Sequence, residues 1–405
     1  MKQLQIKLME RFLVYIFMVI FARLNRFGMQ KLFFFTALLL LFYSCGHTST
    51  QKTDDNTPDS TLTLTHATGF SIDYFRDYKR VTVFNPWEKS KIWSTYYLVS
   101  NDSIKTPDAS QTLQIPLSKL AVTSCTHFEF LKLLDELHTI TGVCSPELIY
   151  NETIAAAYAN GEITSLGDAF NTNVERLLML KPDALMLASY NQQDENAKRL
   201  QAAGVPLLFN NEWTEKSLLA RAEWIKFIAV FYNKETQACD LFDDIETNYN
   251  DAKRLAQAVT NKPLILTGGN FKGTWYMPGG QSYMARLFVD AGADYLYAND
   301  TTTGSLPLNF ETVLNSFSKA DVWLNAPVAS MPELINMDER HKLFTSAQQG
   351  EVYGFWARTK PSGANDFWES AIVHPDLVLK DVIWALHPSL LPDYEPVYII
   401  RLKTK

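Results

Sequence analysis

The sequence predicts an α/β protein of two lobes with mainly parallel central sheets, joined by one long helix. The segment VERLLMLKPDALML, from Val174, has a counterpart from Phe310, FETVLNSFSKADVWLN. Each of the two contains a glutamate near the start of a predicted helix, then an aspartate, then a short apolar strand. Strands and helices alternate around both copies, which is typical of parallel sheets. A long amphipathic segment separates them. Since a solenoid needs at least three stacked units, two copies favour two similar lobes facing each other.

The first lobe is predicted to span residues 65–233. Residues 69–100 alternate apolar and polar side chains, which predicts antiparallel strands at one edge of the lobe. From Leu120 the pattern changes, and the strands LAVTS, TITGV, ALMLA and PLLF alternate with helical segments. Parallel strands connected by helices are buried on both faces of their sheet, so we expect a parallel sheet here.

Residues 234–259 are predicted to form the interlobe helix. Apolar side chains recur there at three- and four-residue spacing from Ala238 to Val259, and Pro263 ends the pattern. A helix of this length extends about 37 Å. We expect such a connector to resist wide hinge bending.

The second lobe is predicted to span residues 260–405. It begins with the strand LILTG and continues with a strand at YLY, the repeated segment, the strand EVYG and the helix DLVLKDVIWALH. The tail VYIIRL is expected to be a last strand or a packed extension.

The amino-terminal residues differ from the rest of the chain. Residues 1–44 are predicted to be a signal peptide, and residues 1–28 are alternatively an overlong gene start, because the apolar stretch LFFFTALLLLF directly precedes Ser44 and Cys45. This junction resembles the lipobox of bacterial lipoproteins, which implies lipidation at Cys45. Residues 45–64 then form a polar tether. The alternative, one or two membrane-spanning helices within residues 12–44, requires about 20 apolar residues each, and the runs are shorter. The expected location is the cell envelope, lipid-anchored and extracytoplasmic.

Composition bears on the possible partners and on the state of the cysteines. The 405 residues are 47% hydrophobic and carry a net charge of −7, which supports two cores and argues against nucleic acid as a partner. Cys125 and Cys144 follow predicted strands and could pair in an oxidising envelope, but with Cys239 they make an odd number, which favours free thiols.

Ligands bind to open parallel sheets at the carboxyl ends of the strands, so the candidate ligand contacts lie in the loops that follow the predicted strands. Loops there are rich in aromatic and amide side chains, which favours a ligand groove. The candidates are Thr126, His127, Tyr150 and Tyr190 in the first lobe, and Asn270, Trp275, Tyr276, Arg358, Asn365 and Trp368 in the second. The sequence carries neither a GxSxG elbow nor an HExxH motif, and its glycine-rich segment from Gly268 to Gly280 lacks the spacing of phosphate-binding loops. We therefore predict no catalytic residue, no metal site and no cofactor.

Taken together, these segments resemble the substrate-binding lipoproteins of ABC importers for iron-siderophore complexes and cobalamin. The resemblance spans residue 115 to the end and rests on VERLLMLKPDALML, the long helix, GTWYMPGGQSYMARLFVDAGADYLY, LPLNFETVL and GANDFWES. It implies a class III periplasmic-binding-protein-like fold, a monomer, and an ABC importer permease with its ATPase as partner. It also implies that Glu175 and Glu311, one on each lobe, form salt bridges with permease arginines. Without the resemblance, each glutamate is simply a favourable acid in a first helical turn.

The ligand implied is a small-molecule metal chelate. A ferric siderophore is favoured because Lys272, Arg358 and Lys360 could face an anionic complex while neighbouring aromatics stack on its chelating groups. Cobalamin and haem remain alternatives within the class. The alternative of another class is a lipid-anchored envelope hydrolase, for which Ser124 and His127 form the nearest nucleophile and base in the sequence.

Overall fold

The structure is a computed structural model that describes residues 57–192 and 194–404. The predicted signal peptide, Cys45 and the tether as far as residue 56 lie outside the described residues. Pro58–Lys405 forms one compact unit. Ser60–Thr61 already forms a β-strand, which pairs with a neighbouring strand. The polar tether that was predicted for residues 45–64 therefore ends before residue 60. Within the described residues no helix is both long and apolar enough to cross a membrane.

A five-stranded sheet precedes the first parallel sheet, as the alternation over residues 69–100 predicts. Its strands pair in chain order and are antiparallel except for the last pair. They are β1 (Ser60–Thr61), β2 (Phe70–Tyr74), β3 (Lys79–Phe84), β4 (Ile92–Val99) and β5 (Thr112–Gln114).

Two buried glutamates fasten the start of this sheet to the first lobe. Glu223 accepts the backbone N–H groups of Thr65, His66 and Ala67 at 2.6–2.9 Å, and Lys226 pairs with it at 2.8 Å. Burial alone raises a carboxyl pKa, but these donors outweigh it and lower the pKa of Glu223. Glu215 accepts from the backbone N–H of Gly69 at 2.8 Å in the same way. The amino-terminal sheet is thus held by buried, charge-assisted hydrogen bonds.

The first lobe contains the expected parallel sheet, in the order β12-β11-β6-β7-β8. Its strands are β6 (Leu120–Val122), β7 (Ile140–Val143), β8 (Thr164–Ser165), β11 (Ala184–Leu187) and β12 (Leu207–Phe209), and a small hairpin, β9 (Gly167–Asp168) and β10 (Asn171–Thr172), lies between β8 and β11 in the chain. The helices of this part are α1 (Phe128–Leu133), α2 (Glu152–Ala159), α3 (Val174–Leu180) and α4 (Glu195–Ala202). The central strands β6 and β11 are buried throughout, because helices cover the sheet.

The connector is the helix that the apolar spacing predicts. Two short helices, α5 (Leu218–Ala222) and α6 (Ile225–Ala229), lead into α7 (Glu235–Gln257), which has 23 residues. Its buried side chains recur at three- and four-residue spacing, among them Ala238, Phe242, Ile245 and Tyr249. α7 packs against α6 and against the last helix, α12 (Pro375–Leu386), so it is part of the core and not a free linker.

The second lobe has a smaller parallel centre than the first. β13 (Ile265–Thr267) pairs in parallel with β17 (Val322–Leu324), and a separate antiparallel sheet comprises β14 (Asn270–Phe271), β15 (Thr274–Pro278) and β16 (Ser305–Leu308). The strand expected at YLY is reduced to a single parallel bridge between Asp294 and Leu264. The tail does form a strand: β19 (Ile400–Arg401) pairs with β18 (Tyr353–Gly354). The remaining helices are α8 (Tyr283–Asp290), α9 (Phe310–Phe317), α10 (Met331–Met337) and α11 (Thr345–Gln349).

The repeated segment has the same structure in both copies. Asn173 and Asn309 cap α3 and α9 by accepting the N–H three residues ahead, at 3.0 and 2.8 Å. The repeated aspartates come just before β11 and β17. Asp183 accepts the N–H of Lys119 and Asp321 that of Leu264, each at 2.8 Å, at the start of the adjacent parallel strand. The aspartate of the repeat therefore ties each helix-to-strand turn to the first strand of its own sheet.

Candidate functional site

Unpartnered polar atoms collect at the carboxyl ends of the central strands. Among the described residues, the buried polar side-chain atoms without a hydrogen-bond partner include both ring nitrogens of His127, Ser189 Oγ, the amide nitrogens of Asn210 and Asn211, Thr267 Oγ1 and Asn270 Oδ1. These residues follow or end β6, β11, β12 and β13. Since buried polar groups in proteins are nearly always satisfied, this concentration favours the strand-end edge of both sheets as the candidate site.

His127 follows β6 at this edge, but other residues cover its ring completely. Its side chain is fully buried, and burial lowers its pKa to about 3, so the imidazole is neutral. Ser124 Oγ is 2.9 Å from Thr126 Oγ1 and caps the short turn Cys125–His127. The covered ring of His127 cannot contact a ligand in this conformation, and it has no hydrogen-bond partner among the described residues. The Ser124 hydroxyl pairs with Thr126 and not with His127.

The two lobes meet where a loop of the second lobe holds the segment before α2. Glu369 is buried, and its carboxylate accepts the backbone N–H of Tyr150 at 2.5 Å and that of Asn151 at 2.7 Å. Lys360 Nζ donates to the Tyr150 carbonyl at 2.6 Å. Three hydrogen bonds thus connect one two-residue segment of the first lobe to residues more than two hundred positions later.

This environment shifts the pKa of Glu369. Burial raises its pKa to about 7, although the two N–H donors and Lys360 act in the opposite direction, and Asp366 raises it further. Burial, and next the charge of Glu369, raise the pKa of the Cys125 thiol to about 12. Cys125 follows β6, so the end of the first-lobe sheet lies within electrostatic range of this interlobe contact.

A pocket of about 460 Å³ opens beside the interlobe contact. Tyr150 lies at its edge, with the guanidinium of Arg358 5.6 Å and the ammonium of Lys360 5.0 Å from the ring centroid. Arg358 also pairs with Asp366 at 2.9 Å. Both lobes line the pocket: Glu129, Lys132, Tyr150, Asn151, Glu152 and Thr153 from the first, and Arg358, Asp366, Ser370, His374, Leu377, Val397 and Tyr398 from the second. The cavity is polar, and it has one basic side chain from each lobe: Lys132, which pairs with Glu129 at 3.0 Å, and Arg358.

A second, smaller pocket lies at the strand-end edge of the first lobe. It has a volume of about 240 Å³, and Phe170 and Tyr190 are exposed at its rim with ring centroids 4.8 Å apart. The ring of Trp213 stacks on that of Tyr190, with centroids 6.2 Å apart. Tyr190 was expected here, but Phe170 and Trp213 were missed. The available signal was that Trp213 lies in the loop that follows the strand PLLF.

These features belong to a known architecture. The sequence matches the family described as "Periplasmic binding protein" over residues 120–357, which is more than half of the chain. The chain belongs to the periplasmic binding protein family. Proteins of this family are substrate-binding proteins that work with ABC importer permeases, not enzymes. The amino-terminal sheet, residues 60–114, lies outside the matched region.

Relatives and solved structures agree with this assignment. An uncharacterized lipoprotein of Methanocaldococcus jannaschii is 23% identical over 295 residues, which cover 70% of this chain and 69% of the relative. The haem-binding protein RhuT of Roseiflexus superposes with a TM-score of 0.52 at 19% identity, covering 67% of this chain and 99% of RhuT. Helicobacter pylori CeuE with bound Ni(II) gives 0.53 at 15% identity, covering 72% and 91%. The structural likenesses show the class III fold, two α/β lobes joined by a long helix.

Within this binding-protein fold, some predicted contacts prove to be structural. Trp275 has no exposed surface: it packs on Trp323 and Phe344 in the second-lobe core, and its Nε1 donates to the Thr267 carbonyl at 2.8 Å. The prediction that Trp275 contacts ligand is therefore wrong. Asn365 is also buried and is occupied locally, donating to the Phe355 carbonyl and accepting from the Phe367 N–H.

Other predicted contacts remain available on the surface. Tyr276 and Trp368 are 50% and 55% exposed, and Thr126 is half-buried. Asn270 is half-buried, and its amide donates to Asp338 at 3.2 Å. The structure brings Tyr150 and Arg358 together at the interlobe pocket and places Tyr190 at the smaller one. The ligand contacts at these positions stay predictions.

The two repeat glutamates are exposed in the first turns of α3 and α9. Glu311 pairs with Arg340 at 3.3 Å, and Arg340 also contacts Asp338 at 2.7 Å and lies 4.0 Å from the Phe310 ring centroid. Glu175 has no such pair among the described residues. Both carboxylates are thus accessible, and one of them already has an arginine partner.

The cysteines within the described residues are free. Cys144 is buried, while Cys125 and Cys239 are half-buried, and none forms a disulfide. The interpretation as free thiols is confirmed. In the same part of the chain no group of three or more His, Cys, Asp or Glu side chains is arranged to hold a metal ion.

Proposed function

We propose that this protein is an extracytoplasmic, lipid-anchored binding protein that captures a ferric siderophore between its lobes and delivers it to an ABC importer permease. The observation that carries the proposal is the pocket beside Tyr150, which both lobes line. Arg358 is among its lining residues, and the ammonium of Lys360 lies 5.0 Å from the Tyr150 ring centroid. Cations fixed at such a boundary favour an anionic chelate, and an aromatic ring beside them favours its planar chelating groups.

The two solved structures described above support a metal-containing ligand but not specifically a ferric siderophore. RhuT is a haem-binding protein, and CeuE was solved with Ni(II). Haem is therefore the second candidate within the same class, and cobalamin is the alternative that the family resemblance implies. A hydrolase has lost its support, because Ser124 bonds to Thr126 and the ring of His127 has no partner among the described residues.

The lipid anchor and the docking contacts belong to the same proposal. Cys45, outside the described residues, is its acylation site, in agreement with the lipoprotein relative. Glu175 and Glu311 are its permease contacts, one on each lobe, on helices that the repeat makes equivalent. At Glu311 a permease arginine would have to share or replace Arg340.

A titration of intrinsic tryptophan fluorescence tests the ligand assignment. Trp368 lies exposed beside the interlobe contact and can report on binding there. Ferrioxamine B, a ferric tris-catecholate, hemin and cyanocobalamin are added separately to the full chain. Saturation with a ferric siderophore at one equivalent is expected. Saturation by cyanocobalamin alone, or by hemin alone, would overturn the choice of siderophore.

A further inference from the structure

The two glutamates proposed as permease contacts occupy equivalent positions but have different surroundings. Each is the second residue of its helix, after an asparagine cap, and each is exposed. Glu175 has no ion pair among the described residues, whereas Arg340 Nη1 donates to Glu311 Oε1 at 3.3 Å. The first lobe thus presents an unpaired carboxylate, and the second presents one that is already paired with an arginine.

Arg340 is held mainly by groups other than Glu311. Its Nε donates to Asp338 Oδ1 at 2.9 Å and its Nη2 donates to Asp338 Oδ2 at 2.7 Å. The guanidinium also lies 4.0 Å from the ring centroid of Phe310. A bidentate pair with a carboxylate is stronger than one long hydrogen bond between exposed groups, and the aromatic ring adds a cation–π contact. Arg340 can therefore keep these contacts when Glu311 turns to another partner.

Asp338 is itself fixed in place and charged. Its side chain is mostly buried, and it accepts the backbone N–H of Arg340 at 3.0 Å, which caps the 3₁₀ turn Glu339–Leu343. The amide of Asn270 donates to the same carboxylate at 3.2 Å. Hydrogen bonds from Arg340 hold the pKa of Asp338 well below its usual range. Asp338 therefore keeps its negative charge and competes with Glu311 for one guanidinium group.

We propose that Arg340 is an internal competitor for Glu311, which weakens docking of the second lobe on the permease, and that Asp338 limits this competition. The inference rests on the proposed docking through Glu175 and Glu311. An incoming arginine meets an unpaired carboxylate at Glu175, but at Glu311 it must displace Arg340 and approach a like charge. Asp338 reduces that cost, because it binds the guanidinium of Arg340 in two places. The first lobe therefore provides the stronger of the two contacts.

Photo-crosslinking in cells measures docking without a choice of ligand. Met179 and Asn315 are exposed, and each lies four residues after the glutamate of its helix, on the same helical face. The full chain carries the photoreactive p-benzoylphenylalanine at one of these positions and replaces the wild-type chain in the cells from which it comes. Expression is titrated, and the amount of chain per cell that gives half-maximal crosslinking to a permease, identified by mass spectrometry, is measured.

Substitutions of Arg340 and Asp338 are expected to have opposite effects. Arg340→Gln frees Glu311 and should lower the half-maximal amount about two- to fivefold, the range for one exposed ion pair. Asp338→Asn keeps an oxygen that can cap the turn but removes the competing charge, so Arg340 pairs more strongly with Glu311. This variant should raise the half-maximal amount by about the same factor. A merely structural role for the pair would impair docking in both variants.

Control variants place the effect at Glu311. In the Glu311→Gln background, neither Arg340→Gln nor Asp338→Asn should change docking any further. Arg401→Gln removes an arginine that pairs with Glu351 elsewhere in the second lobe, and it should dock as the wild type does. Circular dichroism checks that each variant folds.

The outcomes separate the competitor from the proposed docking. If no permease is crosslinked, or if Glu175→Gln and Glu311→Gln both leave the half-maximal amount unchanged, the docking role is overturned and the competitor with it. If these two variants weaken docking but Arg340→Gln and Asp338→Asn change it in the same direction or not at all, the competitor is wrong and docking through the glutamates stands. Opposite effects that persist in the Glu311→Gln background would also overturn the competitor.

Discussion

Glu369 offers the sharpest perturbation of the interlobe contact. Replacing it with glutamine keeps the shape of the side chain but removes its charge and its titration. The glutamine retains one carbonyl oxygen for the N–H groups of Tyr150 and Asn151, so one of the two hydrogen bonds seen with the carboxylate is lost. The variant therefore separates the pH-dependent part of the contact from its packing.

The magnitude follows from the pKa of Glu369. In the folded protein the pKa is raised from 4.5 to about 7, chiefly by burial. The folded state thus binds this proton more tightly than the unfolded chain does. Its contribution to the free energy of unfolding is fully present below about pH 4.5 and is lost as the pH rises through about 7. A shift of this size corresponds to about 3 kcal/mol, and a group of this burial needs no large reduction for solvent screening.

Urea unfolding followed by tryptophan fluorescence, at several pH values between about 5 and 8, measures this effect. The difference in unfolding free energy between wild type and Glu369→Gln is expected to shift with pH by about 3 kcal/mol, with the wild type losing stability as the pH rises. Glu351→Gln is the matched control, because Glu351 pairs with Arg401 and Tyr353 inside the second lobe. A difference that stays constant across this pH range would refute the assignment of Glu369 as a buried, proton-binding link between the lobes.

Three further predictions concern the anchor of the amino-terminal sheet, the second-lobe core and the docking glutamates. Glu223→Gln should lower the free energy of unfolding by about 2–4 kcal/mol, because it weakens bonds to three backbone N–H groups and leaves Lys226 unpaired, and a loss below about 1 kcal/mol in urea unfolding would contradict this. Trp275→Ala should cost about 3–5 kcal/mol by the same assay while Tyr276→Ala costs under about 1 kcal/mol, and equal costs would show that Trp275 is not a core residue. Combined Glu175→Lys and Glu311→Lys should abolish uptake in a transport assay and leave ligand affinity unchanged, and undiminished uptake would refute the docking role.

The features that the sequence predicts well are local ones. Apolar spacing places the connecting helix at residues 234–259, and the structure has it at Glu235–Gln257, because the buried face of a helix repeats at a fixed period. The repeated aspartates and capping asparagines are recognisable for the same reason, since Asp183 and Asn173 act on residues at short distance in the chain or on the neighbouring strand.

The features that the sequence does not predict depend on tertiary contacts. In β15, Trp275 and Tyr276 are adjacent, and alternation indicates that they point to opposite faces without indicating which face is covered. Trp275 proves to be the inner one. Glu369 reaches Tyr150 across more than two hundred residues, and no spacing rule connects them. Phe170 becomes noticeable only when the fold places it beside Tyr190.

Hydrogen exchange of the full chain with and without a saturating ferric siderophore tests the central claim most directly. Peptides around Tyr150 in the first lobe and around Arg358 in the second report on the two walls of the interlobe pocket. A chelate held between the lobes should slow exchange in both peptides together, and leave the exposed helix α2 beyond its first turn unchanged. Protection confined to one lobe, or no protection at saturation, would contradict capture between the lobes.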